Sequence, residues 1–196
     1  MNYYFDMDGV LVQYDREAYT GDNPLFLQKN SHYFRDLKPD RRALSLIDAV
    51  WRDVQKSNEK KSEDETPDDV FILTSIYNHG AIFSEHLHDK LHWLHKWLPY
   101  IDVEHVFISV TSKHDAVEYI KDKALTSDDI LIDDYNRNLE EWRKAGGRPV
   151  KYLNGLNDPK SFTGCEIHCE DNVADNLRVL KTGNLLNNKK VRNKNS

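Results

Sequence analysis

Cysteine is nearly absent from this chain: only Cys165 and Cys169 occur among its 196 residues. Two thiols cannot build a disulfide framework, and their scarcity points to a reducing compartment. No apolar run is long enough to cross a bilayer. The first apolar segment starts at residue 2, which leaves no room for a secretory leader. The expectation is a cytoplasmic protein without a membrane partner. An excess of positive charge is also lacking: 27 Lys and Arg stand against 33 Asp and Glu. The formal net charge is −6, and residues 187–196 contribute Lys189, Lys190, Arg192 and Lys194 without an acid, so the body of the chain carries −10. So acidic a body does not wrap a nucleic-acid polymer, although it can hold a small anion through a metal and a few local lysines. What the chain does have is an aromatic content of 11%, enough for a packed core, and the length of one ordinary domain with a small insertion.

The most informative stretch is the first. Tyr3-Tyr4-Phe5 reads as a buried strand that stops at Asp6-Met7-Asp8-Gly9. Glycine lets the backbone turn there and approach a ligand closely. Past a strand's carboxyl end the chain curls, so Asp6 and Asp8 can address one point, and ligands of open α/β sheets bind at that edge. Two carboxylates repel each other unless a cation sits between them, and a hard ion such as Mg²⁺ suits oxygen ligands. On its own the motif is equally consistent with a polar turn, so the rest of the chain has to decide.

Three more strand ends repeat the theme. Val70–Leu73 runs into Thr74-Ser75, whose hydroxyls can donate to phosphate. A strand over 105–110 is followed by Thr111-Ser112 and by Lys113 at the head of a helix, a natural anion site. Ile130–Ile132 stops at Asp133-Asp134. Strands alternating with helices make a parallel sheet, and its carboxyl edge would gather all four elements into a metal-assisted phosphoryl-transfer site with a carboxylate nucleophile.

Between these landmarks, helices are expected over 39–55, with Pro39 in the first turn, and over 81–98, with Leu87, Leu91, Leu94 and Leu98 buried. Lys56 to Asp69 reads as a solvated loop. A helix carrying Leu139 and Trp142 closes at Gly146-Gly147 and leads into a fifth strand at Val150–Leu153. A last helix spans 172–181, capped by Asp171 and ended by Gly183. His88, His92 and His95 form a solvated stripe with no carboxylate or thiol to complete a metal set. Cys165-Glu166-Ile167-His168-Cys169 lacks a second ligand pair with zinc spacing and reads as a surface strand or turn.

Taken together, Asp6-Met7-Asp8-Gly9-Val10-Leu11, Ile72-Leu73-Thr74-Ser75, Lys113 and Ile132-Asp133-Asp134 resemble the four motifs of the haloacid dehalogenase (HAD) superfamily of phosphatases. Within it the chain is similar to the 5'(3')-deoxyribonucleotidases. Tyr33-Phe34-Arg35-Asp36-Leu37-Lys38-Pro39 resembles the stretch leaving the nucleotidase cap. Lys90-Leu91-His92-Trp93 resembles a Lys-x-x-Trp whose lysine assists phosphate binding, and Tyr14 matches an aromatic position near the nucleobase.

The resemblance implies an α/β Rossmannoid three-layer sandwich around a parallel sheet. Its core would be residues 1–13 and 39–185, with a small, partly helical cap at 14–38 and a disordered basic tail at 186–196. It implies Asp6 as nucleophile and Asp8 as general acid and base. Mg²⁺ would be held by Asp6, the Asp8 carbonyl and Asp134, with Asp133 acting through a bound water. Thr74, Ser75, Lys113, Lys90 and Gly9 would hold phosphate, and Tyr14, Tyr33 and Phe34 would face the base. The cap is shorter than in that family, which puts nucleobase preference in question. The partner expected is a small phosphomonoester, most simply a nucleoside monophosphate, with the oligomeric state open and a homodimer included. A phosphatase of another small metabolite and a non-catalytic binding protein on the same fold are the alternatives.

Overall fold

The structure is a computed structural model, and it describes residues 1–13, 32–76, 80–155 and 161–183. Tyr14, residues 14–31 of the expected cap and the tail at 186–196 lie outside the described residues. Six strands form one parallel sheet: β1 (Asn2–Phe5), β2 (Asp69–Ser75), β3 (Val106–Ser109), β4 (Asp129–Asp133), β5 (Arg148–Leu153) and β6 (Cys165–His168), in the order β3-β2-β1-β4-β5-β6. Among the described residues the helices are α1 (Tyr33–Asp36), α2 (Arg41–Asn58), α3 (Gly80–Trp97), α4 (Lys113–Lys121), α5 (Asn136–Lys144) and α6 (Val173–Thr182), with a 3-10 turn at Val103–His105.

Alternation along the strands explains the layers. Tyr3 and Phe5 point into one core with Ile72, Ile130 and Ile132, and with Ile47 and Val50 of α2, Trp93 of α3 and Val179 of α6. Tyr4 points into the opposite core with Phe71 and Leu131, Val117 of α4, and Leu139 and Trp142 of α5. Strands covered on both faces need apolar residues at every position, which is why they read as unbroken runs. The Tyr4 ring stacks on Phe71 at 5.1 Å and meets Trp142 edge-on at 5.2 Å. The Trp142 indole N–H donates to the Asp129 carbonyl at 3.0 Å, so the second core is satisfied as well as packed.

Four expectations need correction. Pro39 lies outside α2, bridging to Val12. Asp40 caps that helix instead, accepting from the amides of Arg42 and Ala43, because a carboxylate satisfies helix-end N–H groups that proline cannot serve. The stretch expected to be a solvated loop begins as helix, and α2 continues to Asn58. That stretch also contains a buried acid: Asp68 accepts from Lys61 at 2.7 Å, Ser57 at 2.9 Å and the Met1 ammonium at 2.5 Å. Burial pushes its carboxyl upward, but these donors outweigh that and hold it near 2. On α3 the buried side holds His86, Asp89, Lys90, Trp93 and Leu94, whereas Leu87 and Leu91 are half-buried, because this helix turns polar groups inward. Of the two readings left open for Cys165–His168, strand or turn, it is a strand, paired in parallel with β5, and both thiols are free. Finally, α6 is capped by Asn172, whose amide oxygen accepts from the Ala174 N–H at 2.8 Å, and not by Asp171. Gly183 ends it as expected, at φ +68. The histidine stripe of α3 is exposed, as read. No helix among the described residues is long and apolar enough to cross a membrane.

Candidate active site

Register places the strand ends level. Phe5 pairs with Ile72 of β2 and with Ile132 of β4, so Asp6, Thr74 and Asp133 emerge from neighbouring strands at one edge. The chain order reverses between β1 and β4, where the crevice of such a sheet opens. Ser112 caps α4 by accepting from the Asp115 amide, and Lys113 is therefore presented at the first turn of that helix.

Lys113 is the centre of the cluster. Its ammonium lies 2.6 Å from Asp6 Oδ1 and 2.6 Å from Asp133 Oδ2. Burial would lower its proton affinity, but Asp133 and Asp6 overcome that and hold it above the ordinary lysine range. Asp133 is fixed from three sides, accepting also from the Tyr135 amide at 2.7 Å and from Asn138 at 2.9 Å. Asp6 Oδ1 accepts from the Met7 amide at 2.8 Å. Burial pushes the Asp6 carboxyl well above the ordinary aspartate range; Lys113 pulls it back, while Asp133, Asp8 and Asp134 push it further up. Carboxylate oxygens of Asp6, Asp133 and Asp134 all lie within 4.8 Å of one another, and all three residues are buried.

Around this cluster stand further groups. Lys90, fully buried on α3, donates to Asp8 Oδ2, to Thr74 Oγ1 at 2.7 Å and to the Ser75 carbonyl at 3.0 Å. Asp8 Oδ1 is buried without a hydrogen-bond partner among the described residues. Gly9 adopts φ +81, and a Cβ there would lie 2.3 Å from Asp134 Oδ2, so only glycine permits this approach.

Of the residues expected at the site, Asp6, Asp8, Gly9, Thr74, Lys90, Lys113, Asp133 and Asp134 converge. Ser75 joins through its carbonyl, its side chain being exposed. Phe34 is buried with its ring 4.5 Å from the Lys90 ammonium, and Tyr33 packs on Phe34 at 5.3 Å. Trp93, of the Lys-x-x-Trp, donates to the Leu37 carbonyl at 2.8 Å and anchors the segment after α1.

Sequence reasoning missed Asn154, Asn138 and Lys151. Asn154 donates to Asp134 Oδ2 at 2.8 Å and to the Gly9 carbonyl at 2.5 Å, tying β5's end to the first motif. Lys151 is fully buried and reaches the Asp134 carbonyl and Asn136 Oδ1. A lysine within a buried strand, and a polar residue just past that strand's carboxyl end, were signals of the same kind as the other four.

Comparison with solved structures now decides the fold. A D,D-heptose 1,7-bisphosphate phosphatase from B. bronchiseptica, solved with magnesium and phosphate, superposes with a TM-score of 0.60 at 14% identity, covering 92% of this chain and 97% of that one. A HAD-superfamily hydrolase from Ehrlichia chaffeensis superposes with a TM-score of 0.52, also at 14% identity, covering 92% and 95%. The chain has the HAD fold. No family model and no curated protein matches the chain. In the HAD frame, the Asp6 cluster sits at the carboxyl edge between the two halves of the sheet.

Proposed function

We propose that this chain is a Mg²⁺-dependent phosphomonoester hydrolase working through an aspartyl phosphate, with nucleoside monophosphates as its first candidate substrates. The observation that carries the reading is the buried meeting of Asp6, Asp133 and Asp134 around Lys113.

The residues present suit a hard divalent cation. Three carboxylates within 4.8 Å of one another offer oxygen only, and Asp6 is pushed upward first by burial and then by its acidic neighbours, a cost that a bound cation would relieve. Asp6, Asp134 and the Asp8 carbonyl would hold Mg²⁺, with Asp133 acting through a bound water, and the ion would supply charge neutralisation on the phosphoryl oxygens.

The chain's own groups do the rest. Asp6 attacks phosphorus in line, forming an acyl phosphate as the ester P–O bond breaks. Asp8 gives its proton to the departing alkoxide, then takes one from the water that releases phosphate. Its partnerless Oδ1 is the oxygen suited to that exchange. Lys113 orients Asp6, and Thr74 and Lys90 would grip phosphoryl oxygens. For Lys90 this means exchanging one of its three present acceptors for the substrate.

A cleft of about 810 Å³ beside Gly9 and Asn154 is lined by Arg35, Lys38, Arg41, Arg42 and Lys96 against only two acids, Asp36 and Asp40. On so acidic a body a locally basic lining draws in an anionic substrate. It also supports the second reading, a phosphatase of another small metabolite with more than one negative group.

Phosphate release from a panel of ribo- and deoxyribonucleoside monophosphates, sugar phosphates, sugar bisphosphates and an aryl phosphate, with Mg²⁺ and with chelator, separates the readings. Selective release from nucleotides supports the first, and preference for bisphosphates the second. No metal-dependent release from any substrate would leave a binding protein. Gly9→Ala is expected to lower kcat by about 10²-fold on the best substrate, because Asp134 has to move by roughly 1 Å to admit the methyl group. Unchanged kcat would contradict that role for the close approach.

A further inference from the structure

A second polar cluster lies outside the phosphoryl chemistry, where α1 meets α3. Glu85 and Asp89 are four residues apart on α3 and share one face of it. His32, the N-cap of α1, lies over them. Its amide donates to Glu85 Oε1 at 2.9 Å, and its Nδ1 lies 2.9 Å from Asp89 Oδ1. One ligand atom from each of these residues falls within 4.8 Å of the other two.

Two independent features converge on the same point. Asp89 is 1% exposed, and its second oxygen has no hydrogen-bond partner among the described residues. A carboxylate buried this deeply, with one oxygen unpartnered, carries a desolvation cost that a single imidazole contact does not fully offset. His32 itself holds φ 60, a left-handed conformation unfavourable for a residue with a side chain.

We propose that His32, Glu85 and Asp89 bind one divalent first-row transition metal ion of the Zn²⁺ or Mn²⁺ class. An imidazole nitrogen beside two carboxylates favours such ions over Mg²⁺ or Ca²⁺, which prefer oxygen alone. Metal–ligand bonds of about 2.0–2.2 Å in tetrahedral geometry place ligand atoms roughly 3–3.5 Å apart. The three ligand atoms, all within 4.8 Å of one another, lie near that spacing. Such an ion ties the end of the segment after β1 to the helix that carries Lys90. Through Phe34, whose ring faces that lysine, it stiffens one wall of the site. This assignment does not rest on the phosphatase reading.

The test is retention of Co²⁺ by the chelator-stripped full chain, with excess Mg²⁺ present to occupy the Asp6 cluster, read by metal analysis after gel filtration and by the visible Co²⁺ spectrum. One equivalent is expected per chain, with a ligand-field band that disappears in His32→Ala. His32 is partly exposed, so that variant folds. Glu85→Gln serves as the second variant, with affinity in both reduced by more than about tenfold, the loss that even an outer-shell partner causes. Absence of bound Co²⁺ would overturn the proposal. So would retention unchanged in both variants but lost in Asp134→Asn, which would put the ion in the other cluster and leave His32 and Asp89 as a simple hydrogen-bonded pair.

Discussion

Asp6→Asn is expected to reduce kcat by about 10⁴–10⁶-fold, the loss seen when a nucleophile is removed, and at the same time to raise the thermal stability of the metal-free protein. The two effects share one cause. Burial lifts the Asp6 carboxyl well above its ordinary range, so the ionised form required for attack is also the form the fold disfavours. A group whose folded pKa exceeds its unfolded pKa contributes stability below the unfolded value and loses it as pH rises through the folded one. Metal-free wild-type protein should therefore lose Tm as pH rises through the elevated Asp6 range, and the Asn variant should not. Lys113 keeps Asp133 as a partner in the variant, so no new buried charge is left alone. The gain should be a few degrees, at about 2–4 °C per kcal/mol for a chain this long. Measurable turnover by the pure variant would end the nucleophile assignment, and a lower Tm would contradict the electrostatic account of the site.

Lys113→Met is expected to cost about 3–5 kcal/mol, since it leaves Asp6 and Asp133 buried without their shared ammonium. Methionine fills similar volume, so the loss reads charge and not packing. The lysine's proton affinity is raised, so its contribution is present below the ordinary lysine range and disappears only as pH rises through the raised value. The deficit should persist across neutral pH and shrink in acid, where Asp6 takes up a proton. Urea unfolding of both proteins, metal-free and with Mg²⁺, measures it. A change below about 1 kcal/mol would place Lys113 among exposed ion pairs, which contribute little.

The strand ends were readable in the sequence because their rule is local. Tyr3-Tyr4-Phe5 must be strand, and the acids that stop it have nowhere else to go than the sheet's edge. The same logic carried Thr74, Lys113 and Asp133-Asp134, and would have carried Asn154 had the end of β5 been read as those four were. The face of α3 was not legible. Its leucines repeat at helical spacing, but the helix turns Asp89 and Lys90 inward to meet His32 and Asp8, partners 57 and 82 residues away. Periodicity reports apolar faces and is blind to a buried polar one whose partners come from elsewhere in the chain. Asp68 was hidden for the same reason. Its run of charges looks solvated until α2 and the start of β1 surround it.

The most direct test of the account is to stop wild-type protein with acid during Mg²⁺-dependent turnover of its best phosphate ester, and to map the phosphoryl group by peptide mass spectrometry. The account predicts one phosphoryl mass on the peptide containing Asp6, absent with chelator and absent in Asp6→Asn. Sustained phosphate release with no phosphoryl group on Asp6, or with the group on another residue, would contradict it.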